Sequence, residues 1–332
     1  MKIIAVDDDT VSLDLLDECL TQGGYENVEL ETSPSAALEK ISNASDSYDC
    51  ILLDIDMPQM DGIQLCAEIR KFDHHKNTPI LMITRYNHRG AVQKAFEMGA
   101  TDYVTKPFEF LEVLTRIKVA ERLVQERQAA LDSYMAINNI EAGRHETAPA
   151  AEHRRADRSD SILSGEEIKM VDDAVLSPAI FQNYLEQMSK SSSCDLNLVA
   201  IQIKRIDRIF SRTSAAEFTG FLHSVAKAVV HQFRPHSVFL TQAGNGVLLV
   251  ALDGAAPIQP EEVEAKVIRT LQTKKMPKAL HGELALELIV GAPLHLPTSP
   301  KLNFKRAVKA ATARMKQREQ EREDFNLSAL SM

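Results

Sequence analysis

Over the first 120 residues, short apolar runs of strand length alternate with stretches whose apolar positions recur at helical spacing. Strands are predicted near 2–6, 27–31, 50–53, 79–83 and 101–104. Regular strand–helix alternation predicts a doubly wound parallel sheet, an α/β fold. Ile3, Ile4, Ala5 and Val6, and likewise Ile51, Leu52 and Leu53, are apolar without interruption, which suits central strands covered on both faces. From Glu109 to about Asn139 there is no Pro or Gly, so a long helix is expected over 109–140. In it Phe110, Ile117, Val124 and Leu131 recur every seven residues, Leu114 and Met135 fill the intervening seam, and Glu121 and Gln128 interrupt it. Such a seam suits a two-stranded coiled coil. Equally, its first members could pack on their own sheet.

The pattern changes at Glu141. Residues 141–172 are rich in Ala, Glu, Arg, Asp and Ser, with almost no large apolar residue before Ile162, and read as a flexible linker. Ordered periodicity returns near Ser177, where Ser177-Pro178 supplies a helix start. Beyond it the pattern predicts a strand at 196–203, a helix at 214–233, strands at 237–242 and 247–252, a helix at 260–274, a strand at 284–291 and a terminal helix from about 302. Gly244-Asn245-Gly246 between β-rich runs is a hairpin signal. The second domain is therefore expected to be an α/β sandwich with a mixed sheet.

Composition narrows the function classes. The 332 residues suffice for two domains, and a net charge of -9 with a pI near 5.6 disfavours nonspecific nucleic-acid binding; no basic recognition helix stands out, so no DNA partner is expected. No apolar run approaches the roughly 20 residues of a membrane span, and the chain enters a strand directly, so a cytoplasmic protein is expected. Cys19, Cys50, Cys66 and Cys194 lack metal-type or disulfide-framework spacing. His74 and His75, before the fourth strand, read as surface imidazoles.

The chemistry sits in four motifs, IIAVDDD at 3–9, ILLDIDMPQMDG at 51–62, ILMIT at 80–84 and DYVTKPF at 102–108, whose polar residues fall where each apolar run ends. In a parallel sheet that edge binds ligands. With right-handed crossovers, Asp7, Asp8, Asp54, Thr84 and Lys106 converge there. Clustered carboxylates repel one another, and a divalent cation with oxygen ligands, Mg²⁺ where phosphate is handled, relieves this. Asp54 is then a nucleophile for a phosphoryl group, with Lys106 and Thr84 available to its oxygens. Taken alone, Asp7, Asp8 and Asp9 could instead cap the helix beginning near Thr10.

Residues 1–122 resemble the receiver domain of two-component response regulators, since the acidic pair, the D-x-D-M-P-x-M-D-G loop, the threonine and the K-P-F occur in order. The resemblance implies a flavodoxin-like (βα)5 fold with Asp54 as phospho-acceptor and Asp7 and Asp8 as the acid pocket. Mg²⁺ would be held by the Asp8 and Asp54 side chains and the Asp56 carbonyl. Lys106 would pair with the phosphoryl group, the Lys106–Pro107 bond would be cis, and Thr84 and Tyr103 would be the switch residues. A sensor histidine kinase or phosphotransfer protein becomes the expected donor, and phosphorylation is expected to favour a homodimer through the 109–140 stalk. The family commonly has Ala or Gly after the switch threonine. Arg85 stands there instead, a long cation that could cover the acyl phosphate, pair with Asp56 or simply point into solvent.

Residues 175–320, followed by a tail at 321–332, resemble the GGDEF domain of diguanylate cyclases, a nucleotidyl-cyclase-like α/β fold, through LVAIQI, the helix ending HQFR, the hairpin SVFLTQ-AGNG-VLLVAL, LELIVGAPL and KLNFKRAVKAATARMKQ. The family's chemical residues are replaced. Ala243-Gly244-Asn245-Gly246-Val247 stands at the signature, Gln202 at a metal-binding aspartate, and Phe210 at the guanine-reading asparagine. Two-metal chemistry requires those carboxylates, so no enzyme activity is expected, and the output is expected to be contact with a downstream protein. The alternatives are an unusual diguanylate cyclase, or an effector binding cyclic di-GMP or GTP through Arg234, which survives from the family's inhibitory site.

Overall fold

A computed structural model describes residues 1–44, 47–85, 89–142, 174–190, 195–233, 237–254, 258–273, 286–297 and 302–330. The chain divides into two compact units, Met1–Ala148 and Pro149–Met332. The expected linker at 141–172 lies almost wholly outside the described residues, as do Arg234 and Cys194.

In the first unit the order is β1 (Ile3–Val6), α1 (Thr10–Gln22), β2 (Val28–Glu31), α2 (Pro34–Asn43), β3 (Cys50–Leu53), α3 (Gly62–Ile69), β4 (Ile80–Thr84), α4 (Arg89–Glu97), β5 (Asp102–Thr105) and α5 (Phe110–Ala142). All neighbouring strands are parallel, in the order β2-β1-β3-β4-β5. The uninterrupted apolar strands β1 and β3 are central and buried at every position, whereas the mixed sequence Val28–Glu31 is an edge. Because β2 lies to one side of β1 and β3 to the other, winding reverses at the β1–β3 crevice, where α/β sheets bind ligands.

One core layer packs Ile3, Ala5, Leu52 and Ile83 against Leu13 and Leu16 of α1 and Val113 and Ile117 of α5. Ile117 is fully buried and Glu121 accepts a hydrogen bond from the Tyr25 hydroxyl at 3.2 Å. The first turns of the seven-residue repeat therefore serve this unit's own core, and any seam for a partner helix begins after Ala120. Leu131 and Met135 have side chains outside the described set.

The second unit comprises α6 (Pro178–Lys190), β6 (Leu196–Ile203), α7 (Ile206–Ser211), α8 (Ala215–Phe233), β7 (Val238–Gln242), β8 (Val247–Asp253), α9 (Pro260–Gln272), β9 (Leu288–Val290), β10 (Leu294–Leu296) and α10 (Phe304–Leu330). Its described strands pair antiparallel, which corrects the expected mixed sheet; the one parallel contact is an isolated bridge from Val175 to Leu240. Of the strand expected at 284–291, residues 284–285 lie outside the described residues, and among the rest the strand covers Leu288–Val290 only; β10 is a further strand beyond the expected set. Both β9 and β10 pair with β6, with Val290 opposite Ile201 and Leu294 opposite Leu198. Between these pairs three residues, 291–293, thus face two, 199–200, a bulge that follows Gly291, whose N–H donates to the Ala200 carbonyl at 2.8 Å. A side chain there would meet Met315 Cβ at 3.0 Å.

Candidate functional site: an acid pocket at the β1–β3 crevice

Strand register builds the site. Val6 lies opposite Leu53, so the next residues, Asp7 and Asp54, emerge side by side, tied by the Asp54 N–H donating to the Val6 carbonyl at 2.9 Å. Thr84 pairs with Thr105, and the Lys106 N–H donates to the Thr84 carbonyl at 2.7 Å, which turns Lys106 toward the same edge. Its ammonium reaches Asp7 Oδ2 at 2.5 Å and Asp54 Oδ1 at 2.9 Å.

Asp54 is only 4 % exposed. Burial raises its carboxyl above the usual range; Lys106 opposes this and Asp7 adds to it. For Lys106 burial works against the charged form, but hydrogen bonds to Asp7 and Asp54 outweigh it and hold the ammonium above its ordinary value. The other Asp54 oxygen accepts the Asp56 N–H at 2.6 Å, which fixes the carboxylate plane. Carboxylate oxygens of Asp7, Asp8 and Asp54 lie within 4.8 Å of one another. Three hard oxygen donors this close suit a small divalent cation such as Mg²⁺. The exposed Asp56 side chain is not part of that trio, so its expected contribution rests on its carbonyl alone.

The alternative reading of the acidic run holds for one member. Asp9 caps α1, its Oδ1 accepting the Val11 N–H at 3.0 Å, while Asp7 and Asp8 face the pocket. Thr84 is fully buried at the end of β4. Tyr103 is fully buried too, and burial, followed by the charge of Asp54, pushes its phenol up. The Lys106–Pro107 bond is cis, as the resemblance implies. Arg85 is largely exposed, in line with the solvent-facing alternative, and its guanidinium lies 3.9 Å from Asp9 Oδ2 rather than on Asp56.

Gly62 closes the loop motif, and its role lies in backbone packing. A Cβ there would sit 1.9 Å from the Asp54 carbonyl oxygen, so only glycine lets α3 begin against the backbone of Asp54. Asp61 caps that helix, accepting the Gln64 N–H at 2.7 Å. His75 corrects the surface reading. It is fully buried, its Nδ1 3.0 Å from Thr78 Oγ1, and burial foremost, then the charges of His74 and Arg70, lower its pKa to about 4 against the pull of the Ile41 carbonyl. Cys19, Cys50 and Cys66 are buried free thiols.

In the second unit the Gln202 amide donates to the Asn245 carbonyl at 2.9 Å, which joins the end of β6 to the hairpin. Phe210 packs edge-on against Phe218 in the core, with ring centroids 5.0 Å apart. The cavity beside the hairpin, lined by Ile206, Phe218, Leu222 and Gln242, is about 10 Å³, at the lower limit for a single water.

A parallel five-stranded sheet with an acid trio, a lysine and a buried threonine at its switch point defines, in class, a doubly wound α/β module with an acid pocket at its ligand-binding edge. Comparison with known proteins makes this particular: residues 3–118 match the response regulator receiver domain. The transcriptional regulatory protein SrrA of Staphylococcus aureus is 30% identical over 220 residues, 64% of this chain and 88% of SrrA. KdpE of the same species, also named a transcriptional regulatory protein, is 38% identical over 127 residues, 38% of this chain and 52% of KdpE, so the chain spans about half that relative's length. Solved structures similar to it include the beryllofluoride-activated DrrB receiver domain (30% identity, TM-score 0.33, 36% of this chain and 97% of that one) and CheY4 of Vibrio cholerae (32%, 0.34, 36% and 97%). The chain belongs to the response regulators and carries their receiver domain at its N-terminal end.

Proposed function

We propose that Asp54 accepts a phosphoryl group from a sensor histidine kinase or phosphotransfer protein, and that the second unit, a degenerate GGDEF-like domain, reports the change by protein interaction in the cytoplasm. What carries the proposal is the placement of Asp54, nearly buried, 2.9 Å from the Lys106 ammonium and inside an acid trio. An Asp54 oxygen attacks phosphorus, the bond to the donor imidazole nitrogen breaks, and that nitrogen leaves with the electron pair. Lys106 neutralises one phosphoryl oxygen, and the Thr84 hydroxyl turns to donate to another. Mg²⁺, held by the Asp8 and Asp54 carboxylates and the Asp56 carbonyl with Asp7 in support, would neutralise charge on the transferring group when bound. Charge added at Asp54 biases a two-state element made of Thr84 and Tyr103, and a dimer through the later turns of α5 reorients the output units.

The amide of Gln202 in place of a carboxylate, the core role of Phe210 and the near-filled cavity beside the hairpin support a non-catalytic second unit. The same features disfavour cyclase activity, which product formed from GTP with Mg²⁺ or Mn²⁺ would reinstate; they do not bear on the alternative of cyclic di-GMP binding through Arg234, which binding heat with cyclic di-GMP would establish. A pull-down comparing wild type, Asp54→Ala and beryllofluoride-loaded protein tests the output. A protein partner retained in one state only is the expected result, and identical captured sets in all three states would contradict signalling through contact.

A further inference from the structure

The winding of the sheet places Asp54 between two residues that the phosphoryl-transfer scheme leaves unused. In the order β1-β3-β4, Asp9 follows the first strand, Asp54 the second and Arg85 the third. The ion pair from Arg85 to Asp9 therefore spans the end of β3, across the mouth of the acid pocket. Its two side chains are 76% and 42% exposed and the atoms are 3.9 Å apart. An exposed pair of that length is a weak tie. Leaving it costs Asp9 little, because its carboxylate also accepts the Val11 N–H at 3.0 Å and the Ser12 hydroxyl at 3.2 Å. A phosphoryl dianion on Asp54 would offer the guanidinium a better partner, with two oxygens matching its fork.

Resting on the reading of Asp54 as acceptor, we propose that Arg85 is a phosphoryl latch: parked on Asp9 before transfer, it turns onto the phosphoryl oxygens afterwards and covers the side from which water attacks. The step it slows is hydrolysis, in which water oxygen bonds to phosphorus as the bond to the Asp54 oxygen breaks. The products are the Asp54 carboxylate and dihydrogen phosphate, which keeps both protons of the water. Arg85 is thus a positioning and shielding residue that sets the lifetime of the signal, and Asp9 competes for it.

The test follows loss of label after the full chain has been loaded with labelled acetyl phosphate and Mg²⁺ and the donor removed. Arg85→Ala is expected to lose label roughly three- to tenfold faster than wild type, the scale of one ordinary net hydrogen bond at an exposed site. Arg85→Lys, which keeps a charge without the fork, falls between them. Asp9→Asn retains a good helix cap but not the competing charge, so it is expected to hold label longer than wild type. Decay in Arg85→Ala equal to or slower than wild type overturns the latch while leaving Asp54 as acceptor, and so does faster decay in Asp9→Asn. A wild type that takes up no label removes both the latch and the reading on which it rests.

Discussion

A buried histidine has its charge suppressed, and His75 shows what that does to stability. Its folded pKa is near 4, against about 6.5 for an unfolded histidine. Between those values the unfolded chain binds the extra proton and the folded chain does not. Stability from this residue is therefore complete above pH 6.5 and lost as pH falls toward 4, by up to about 3 kcal/mol in all. Urea unfolding of wild type and His75→Asn across that range checks the sign: the difference in stability between them should shrink as pH falls. A difference independent of pH would show that His75 titrates normally. Sequence could not announce this burial, because the pair His74-His75 occupies a short turn without periodicity; the structure buries one ring and exposes the other. The partner of Arg85 was hidden for a similar reason, since Asp9 and Asp56 are equally acidic and only the strand order decides which lies across the pocket.

At the scale of elements, the five strands of the first unit were readable because each is a short apolar run bounded by polar residues. Their parallel order follows from the intervening helices. What the pattern could not supply was the fit between elements. The approach of α3 to the end of β3 depends on one absent methyl, at Gly62. Gly62→Ala must push the helix start away from the Asp54 carbonyl, and overpacking of this kind costs about 1–3 kcal/mol. We expect a lower urea midpoint together with slower phosphoryl uptake, because the same displacement moves the acceptor. An unchanged midpoint with normal uptake would mean that the loop yields freely. The repeat along α5 illustrates the reverse limit. Its spacing was visible, but Ile117 is spent on the receiver core, and a seven-residue period does not say whose surface it covers. In the second unit the hairpin at Gly244–Gly246 was announced by its residues. The split of β9 from β10 at Gly291 was not, since a bulge reflects the register of a distant partner strand.

Across the whole molecule, an acid-rich pocket in one unit is paired with a second unit in which, on the proposed GGDEF-like reading, two amides, Gln202 and Asn245, and one glycine, Gly246, stand where that family has carboxylates. That pairing makes the chain a switch rather than a catalyst in our reading, with the phosphoryl group as input and protein contact as output. Among the described residues no helix is long and apolar enough to cross a membrane. The account stands or falls on Asp54. The direct measurement is incorporation of labelled acetyl phosphate with Mg²⁺, compared between wild type and Asp54→Asn, followed by peptide mapping of a reduced, borohydride-trapped sample. The account predicts one hydroxylamine-labile phosphoryl group on wild type, with borohydride converting Asp54 to homoserine at that one position, and neither on the variant. Equal labelling of both proteins, or no labelling of wild type, would contradict it.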